Sequence, residues 1–186
     1  MDLKPKNEAT MKESFVIPLL RELAEELGMQ FEVEPRYGYV ARIVLPDGSR
    51  RYLRNTVFDI NGSGATEIAK DKDYAAYFLA ADGYPVPMGE SFHTRAFCKA
   101  IGSKRTPEAA WKYARKLGLP VIVKPNSGSQ GTEVALVHTR QAFYRAMRAA
   151  FKHDKVVLVQ KPVEGKDYRL VVLDDKVISA YERVPL

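Results

Sequence analysis

Residues 118–134 read Gly-Leu-Pro-Val-Ile-Val-Lys-Pro-Asn-Ser-Gly-Ser-Gln-Gly-Thr-Glu-Val. Val121, Ile122 and Val123 predict an apolar strand that carries Lys124 at its end. A loop of small residues follows, from Ser127 and Gly128 through Ser129 and Gln130 to Gly131, and an apolar run returns at 134–137. A lysine held by a buried strand beside such a loop suits a polyphosphate. Backbone N–H groups approach phosphate oxygens where no side chain intervenes, and the ammonium neutralises their charge. The stretch is not a P-loop, because no Gly-Lys-Ser/Thr opens a helix. Two plainer readings stand beside this one: a surface hairpin rich in Gly and Ser, and a strand-end lysine that snorkels to solvent.

The rest of the chain bounds what the loop can serve. Its 186 residues suffice for one good core or two small lobes. With 46% apolar and 28% charged residues, the composition is that of a globular protein rather than a disordered one. No apolar run approaches a membrane span, and the first residues lack the apolar stretch of a secretory signal. The single cysteine, Cys98, fits a reducing cytoplasm and reads as a small buried apolar residue. A net charge of +6 favours an anionic partner, and nucleic acid and ATP are the two candidates. The compact basic cluster at 50–54 alternates with apolar positions, as a solvated strand face does. No helix-turn-helix, zinc site or aromatic RNA platform is visible, so nucleic acid is not the expected partner.

Periodicity predicts the elements. Residues 8–27 read as a helix that Pro18 kinks or restarts at a first turn, with Leu19, Leu20, Leu23 and Leu27 as its apolar stripe and Gly28 as its stop. Extended runs at 30–33, 37–45 and 51–53, a turn at 46–49 and a short strand at 57–60 follow. A helix is expected from about 66 to 81, and a polar connector over 91–106. Beyond it come a helix with Pro107 in its first turn, strands at 120–125 and 133–137, a helix at 140–152 with Thr139 as its N-cap, and strands at 155–160, 167–173 and 176–182. Asp174 and Asp175, the one close acid pair, read as a hairpin turn. His93, His138 and His153 are too scattered for a metal cluster.

The strand, Lys124 and the small-residue loop resemble the glycine-rich hairpin of the ATP-grasp family, ATP-dependent ligases that join a carboxylate to an amine. Two further segments carry the resemblance. Upstream, Ile68-Ala69-Lys70-Asp71-Lys72 opens a helix that ends near Gly83 before Tyr84-Pro85-Val86-Pro87, similar to the family's Asp-Lys element, helix and Gly-x-Pro-x-Pro. Downstream, residues 156–172 (Val-Val-Leu-Val-Gln-Lys-Pro-Val-Glu-Gly-Lys-Asp-Tyr-Arg-Leu-Val-Val) resemble the segment between the two lobes that holds the adenine. Residues 179–185, Ser-Ala-Tyr-Glu-Arg-Val-Pro, look most like the cyanophycin-synthetase and glutathione-ligase branch.

The resemblance implies an α+β fold: an ATP-grasp-like small lobe, an antiparallel sheet with helices on one face, preceded by a small α/β-hairpin region. The expected divisions are 1–66 for the N-terminal helix and hairpins, 67–160 for the nucleotide-binding lobe and 161–186 for the first hairpin of a second lobe. By the same resemblance Lys72 and Lys124 contact the ATP phosphates, and the loop from Ser127 through Gly128, Ser129 and Gln130 to Gly131 folds over them. Gln160, Lys161 and Val163 hold the adenine, Asp167 accepts from the ribose hydroxyls, and Arg169, on the same strand face, binds phosphate or an acyl-phosphate. Many family members carry an acid where this chain has Gln160, whose carbonyl oxygen also accepts from an amino group.

The family's Mg²⁺ ligands lie beyond the segment that matches 182–185, so Mg²⁺ is expected only with a complete second lobe, and no catalytic or metal residue is assigned. The expected function is the ATP-binding portion of a cytoplasmic carboxylate–amine ligase acting through an acyl-phosphate, inactive alone, with an amino-acid or peptide substrate when complete. Self-association through the exposed lobe surface is a further expectation. The alternative is a non-catalytic nucleotide-binding module or remnant.

Overall fold

The computed structural model describes residues 14–128, 131 and 133–184. The chain divides into two compact units, Met1–Thr66 and Glu67–Leu186.

In the first unit α1 (Val16–Glu26) precedes an antiparallel meander of β1 (Gln30–Val33), β2 (Val40–Val44), β3 (Arg50–Arg54) and β4 (Val57–Phe58), paired in chain order. The β2–β3 turn closes where Asp47 Oδ1 accepts from the Ser49 N–H at 2.8 Å, with Gly48 in the left-handed region. Ile17, Ala41 and Leu53 form a small core, with Leu20, Phe31 and Val33 packed against it. The leucine stripe expected on α1 needs correction. Leu19, Leu23 and Leu27 are exposed, whereas Ile17 and Ala24 are buried and Leu20 is half-buried. The helix carries two apolar stripes, and the one with the small Ala24 faces the core. Pro18 sits in the first turn, where its missing N–H has no helical partner to lose. Residues 8–13 of the expected helix lie outside the described residues.

From α2 (Ser63–Lys70) the chain continues through α3 (Lys72–Ala81), β5 (Gly89–His93), α4 (Arg95–Ile101), α5 (Pro107–Leu117), β6 (Val121–Pro125) and β7 (Ala135–Val137). It ends with α6 (Arg140–Ala150), β8 (Val156–Gln160), β9 (Asp167–Leu173) and β10 (Lys176–Arg183). Four strands make an antiparallel sheet in the order β5-β8-β6-β7. Val121, Val123, Val157 and Val159 are fully buried against Ala110 and Ala114 of α5 and Phe143 and Met147 of α6. Each fully buried Val contributes roughly 1.5–3 kcal/mol, so this layer is the main source of cohesion in the unit. The small alanines let the two helices lie close to the sheet, and Thr106 and Thr139 cap them by accepting from the N–H groups of Ala109 and Ala142. The antiparallel sheet with helices on one face is as expected.

Two local expectations fail. The helix predicted over 66–81 is two helices, broken at Asp71, which is extended and whose Oδ1 accepts from the N–H groups of Asp73 and Tyr74 at 3.0 and 2.9 Å. A short carboxylate competes with the helix backbone and starts a new helix. The connector predicted over 91–106 contains the end of β5 and all of α4, capped by Thr94 and stopped by Gly102 at φ +68. Ser91 and Phe92 are buried there, and Cys98 is buried on α4.

Among the described residues β9 and β10 pair only with each other, across Asp174 and Asp175 at φ 48 and 63, the positive pair that a two-residue hairpin turn requires. Every residue of this hairpin is exposed.

Candidate functional site

Alternation along β6 decides where Lys124 points. Val121 and Val123 face the helices, so Ile122 and Lys124 face the other way. Across the sheet Lys124 stands opposite Leu158, Ile122 opposite Gln160, Ser91 opposite Leu158 and Gly89 opposite Gln160. These residues share the face that α5 and α6 leave uncovered. A cleft of about 340 Å³ opens there, lined by Lys72, Asp73, Ala76 and Tyr77 of α3, Gly89 and Glu90 of β5, and Leu158 and Gln160 of β8. Its size falls in the range of small-molecule sites.

Hydrogen bonds fix α3 against the sheet. The Asp73 N–H donates to Oδ1 of Asn126 at 3.0 Å, and Ser91 Oγ donates to Asp73 Oδ2 at 2.5 Å. Asn126 is buried, and its own N–H donates to the Val156 carbonyl at 3.0 Å. The Lys72 ammonium reaches from α3 to the loop after β6, donating to the carbonyls of Asn126 and Gly128 at 2.9 Å each. Lys72 therefore holds both ends of the turn that contains Ser127. Gly128 and Gly131 have φ of +96 and +73, a conformation that only glycine enters readily.

Ser127 is engaged from the other side. Its N–H and its Oγ both donate to Asp154 Oδ2 at 2.7 Å, while Asp154 Oδ1 accepts from the Val156 N–H at 3.0 Å. Burial works against ionisation of Asp154, but these hydrogen bonds and the Lys72 charge outweigh it and hold the carboxyl below its ordinary range. The hydroxyl of Ser127 is thus already committed to a carboxylate.

Lys124 is short of counter-charge, whereas Lys72 has two carboxylates near it. Burial lowers the pKa of Lys124, and the neighbouring Lys72 lowers it further. Burial also lowers Lys72, against the opposing pull of Asp154 and Asp71. A part-buried ammonium depressed by burial and by a neighbouring cation is relieved by an anion bound beside it.

Gln160 is 7% exposed, and no described residue hydrogen-bonds its carboxamide. Gly89 makes room for it: a Cβ there would lie 2.4 Å from Gln160 Cγ and 2.9 Å from the Val159 carbonyl oxygen. The next residue, Lys161, donates its N–H to the Met88 carbonyl at 2.8 Å, tying the end of β8 to the chain before β5. Val163 is exposed. Asp167 pairs with Arg183 at 2.5 Å across the hairpin, and Arg169 stands opposite Tyr181.

Lys72, Lys124, Ser127, Gly128 and Gln160 thus gather around one open face, whereas Asp167 and Arg169 lie on the separate hairpin. Ser129 and Gln130 lie outside the described residues. Sequence reasoning missed Asn126, Asp154, Asp73, Ser91 and Gly89. Asn126 carried a signal, a polar residue directly after the Lys-Pro that ends β6. Nothing marked Asp154, which meets Ser127 from 27 residues away.

Comparison with known proteins gives an independent view. The family model described as D-ala D-ala ligase C-terminus matches residues 83–185. Cyanophycin synthetase of Trichormus variabilis is 28% identical over 98% of this chain and 18% of its own length. Glutathione biosynthesis bifunctional protein GshAB of Enterococcus faecalis is 34% identical over 63% of this chain and 15% of its own. The D-alanine–D-alanine ligase of Glaesserella parasuis is 32% identical over 52% of this chain and 35% of its own. In fold, the crystal structure of a bifunctional glutathione synthetase from Pasteurella multocida matches 94% of this chain and 22% of that one, with a TM-score of 0.54 at 22% identity. The chain spans about a third or less of the length of these relatives.

Proposed function

Because the chain belongs to the D-Ala–D-Ala ligase C-terminal family of ATP-grasp proteins, we propose that it is the ATP-binding portion of a carboxylate–amine ligase. Relatives named as ligases or synthetases of cyanophycin, D-alanyl-D-alanine and glutathione support an amino-acid or peptide substrate. One observation carries the proposal. Lys72, Lys124 and the turn of Ser127 and Gly128 converge on the open sheet face beside a cleft that ends at Gln160. That face offers positive charge at one end and a hydrogen-bonding amide at the other, the two needs of a nucleoside triphosphate.

In this reading Lys124 takes the phosphates, and Lys72 couples them to the loop through the carbonyls it already holds. Residues from Ser127 to Gly131, with Ser129 and Gln130 between, cover them. Gln160 and the backbone of Lys161 and Val163 hold the adenine, Asp167 the ribose, and Arg169 a phosphate or acyl-phosphate. ATP phosphorylates a carboxylate in such ligases, and the acyl-phosphate is then attacked by an amine. Mg²⁺ would supply charge neutralisation at the β- and γ-phosphates. Among the described residues no three His, Cys, Asp or Glu side chains converge. By the family resemblance we assign the metal-binding groups to the further length that the relatives possess, residues 161–186 to the start of that second lobe, and no turnover to residues 1–186 by themselves. No helix among the described residues is long and apolar enough to cross a membrane.

Calorimetry with ATP tests the assignment. A charge-assisted bond to phosphate is worth about 1.5–3 kcal/mol, so Lys124→Ala should weaken ATP about tenfold or more. Lys161→Ala should cost less, because that position is assigned a backbone role. Equal losses for the two would show that Lys124 does not meet the phosphates, and amine-dependent ADP release by this chain alone would refute its inactivity.

A further inference from the structure

The chain's formal charge of +6 is concentrated in one layer. Residues 107–117 and 140–152, which make up α5, α6 and the turn after α6, hold seven of the 29 lysines and arginines and one of the 23 acids, so the rest of the chain is neutral. On α5 the cations are Lys112, Arg115 and Lys116, all exposed. On α6 they are Arg140, Arg145 and Arg148, with Lys152 in the turn that follows, and these are exposed as well. Arg145, Arg148 and Lys152 recur at three and four residues, which sets them in a line. The two helices are neighbours, since Trp111 of α5 packs on Phe143 and Tyr144 of α6 at ring-centroid distances of 5.2 and 6.3 Å. Their apolar faces are fixed on the sheet, so the cations stand on the side away from the nucleotide cleft.

No ion pair among the described residues reaches any of the seven. The one acid of the layer, Glu108, pairs with Arg95, and Arg140 lies over the Tyr144 ring at 5.9 Å. Like charges gathered on one surface repel, and a polyanion offsets that repulsion.

The surface supplies charge and little else. Among the described residues no large apolar side chain of either helix is exposed. A membrane-surface helix needs an apolar face to insert, and a specific protein partner needs apolar or aromatic anchors. Trp111 and Tyr144 are half-buried in the seam, so neither helix offers an exposed ring on which unpaired bases would stack. A nucleic-acid duplex needs none of these. It carries one charge per about 1.7 Å and binds cations through release of its counterions. Two helices side by side span roughly 20 Å and cannot enter a major groove about 12 Å wide. They meet phosphates rather than base edges.

We propose that the outer face of α5 and α6 binds the phosphate backbone of a nucleic-acid duplex without regard to sequence. This face and the nucleotide cleft lie on opposite sides of one sheet, so the loss of either leaves the other standing.

Fluorescence anisotropy of a short labelled DNA duplex, titrated with the chain over a range of KCl, provides the test. The log of the affinity should fall with the log of salt at a slope of about −3 or steeper, as for four or more phosphates. Arg145→Ala/Arg148→Ala/Lys152→Ala should bind about tenfold or more weakly, with a slope shallower by about three. Lys112→Ala/Arg115→Ala/Lys116→Ala should behave likewise, and serves if the first variant folds poorly. Arg50→Ala/Arg51→Ala/Arg54→Ala removes the same charge from β3 and should stay within about threefold of wild type. Duplex binding that is absent or independent of salt, or an equal loss in the β3 variant, overturns the inference. Tighter binding to vesicles of equal parts phosphatidylserine and phosphatidylcholine, or to poly-glutamate, overturns it too, by making the face a membrane or acidic-protein contact.

Discussion

Lys124 shows how a binding residue differs from a stabilising one. Burial, and then repulsion from Lys72, hold its pKa below the ordinary lysine value. A lysine whose folded pKa is lowered carries its penalty at every pH below that folded value. The penalty fades as pH rises through the lowered value toward the unfolded one. Lys124→Met keeps the apolar stem and removes the charge, so it should stabilise the nucleotide-free chain at pH 7, by up to about 1 kcal/mol after solvent screening. The gain should shrink in alkaline buffer. Thermal unfolding at pH 7 and near pH 10 reads both signs, and a variant less stable at pH 7 would show that the ammonium has a partner the geometry does not reveal. The lysine itself was legible from its strand and the glycines after it. Its coupling to Lys72 was not, because the fold brings together two residues 52 positions apart in the chain.

At the level of elements, the turn after β6 is held by two charged residues from distant parts of the chain, Lys72 on its carbonyls and Asp154 on Ser127. Removing the carboxylate leaves the Ser127 N–H without its acceptor, so Asp154→Ala should speed amide exchange at Ser127 tenfold or more and weaken ATP. Unchanged exchange there would mean that Lys72 alone holds the turn. The folded pKa of Asp154 is lowered, so its contribution is present above the ordinary carboxylate range and is lost as pH falls through the lowered value. Periodicity exposed β6, β8, α5 and α6, because their apolar residues recur at strand or helix spacing over a whole element. It failed at β5 and α4, whose short runs include Ser91, His93 and Lys99. It chose the wrong face of α1 because the leucines outweigh Ile17 and Ala24 in size, although the small residue permits the closer approach. Asp71 carried a readable signal for the break between α2 and α3, a capping residue in mid-helix, but the helical pattern on both sides concealed it.

For the molecule as a whole, the hairpin of β9 and β10 is the least satisfied part. A two-stranded sheet is marginal in water by itself, no other described strand pairs with either outer edge, and Leu170, Val172, Val177 and Ile178 are about 60% exposed. The chain should therefore self-associate with rising concentration, and Ile178→Lys should return it to monomer. Sedimentation velocity decides this, and a wild-type chain that stays monomeric at high concentration would show that the edges protect themselves. The placement of the proposed ligands gives this hairpin a second importance. Gln160 belongs to the packed sheet, whereas Asp167 and Arg169 belong to the hairpin, so a nucleotide touching all three is a cross-link between them. Its affinity then includes the free energy of seating the hairpin, and linkage makes the relation mutual. A body that docks on β9 and β10 in the arrangement the nucleotide needs must tighten ATP by the same factor by which ATP tightens that body.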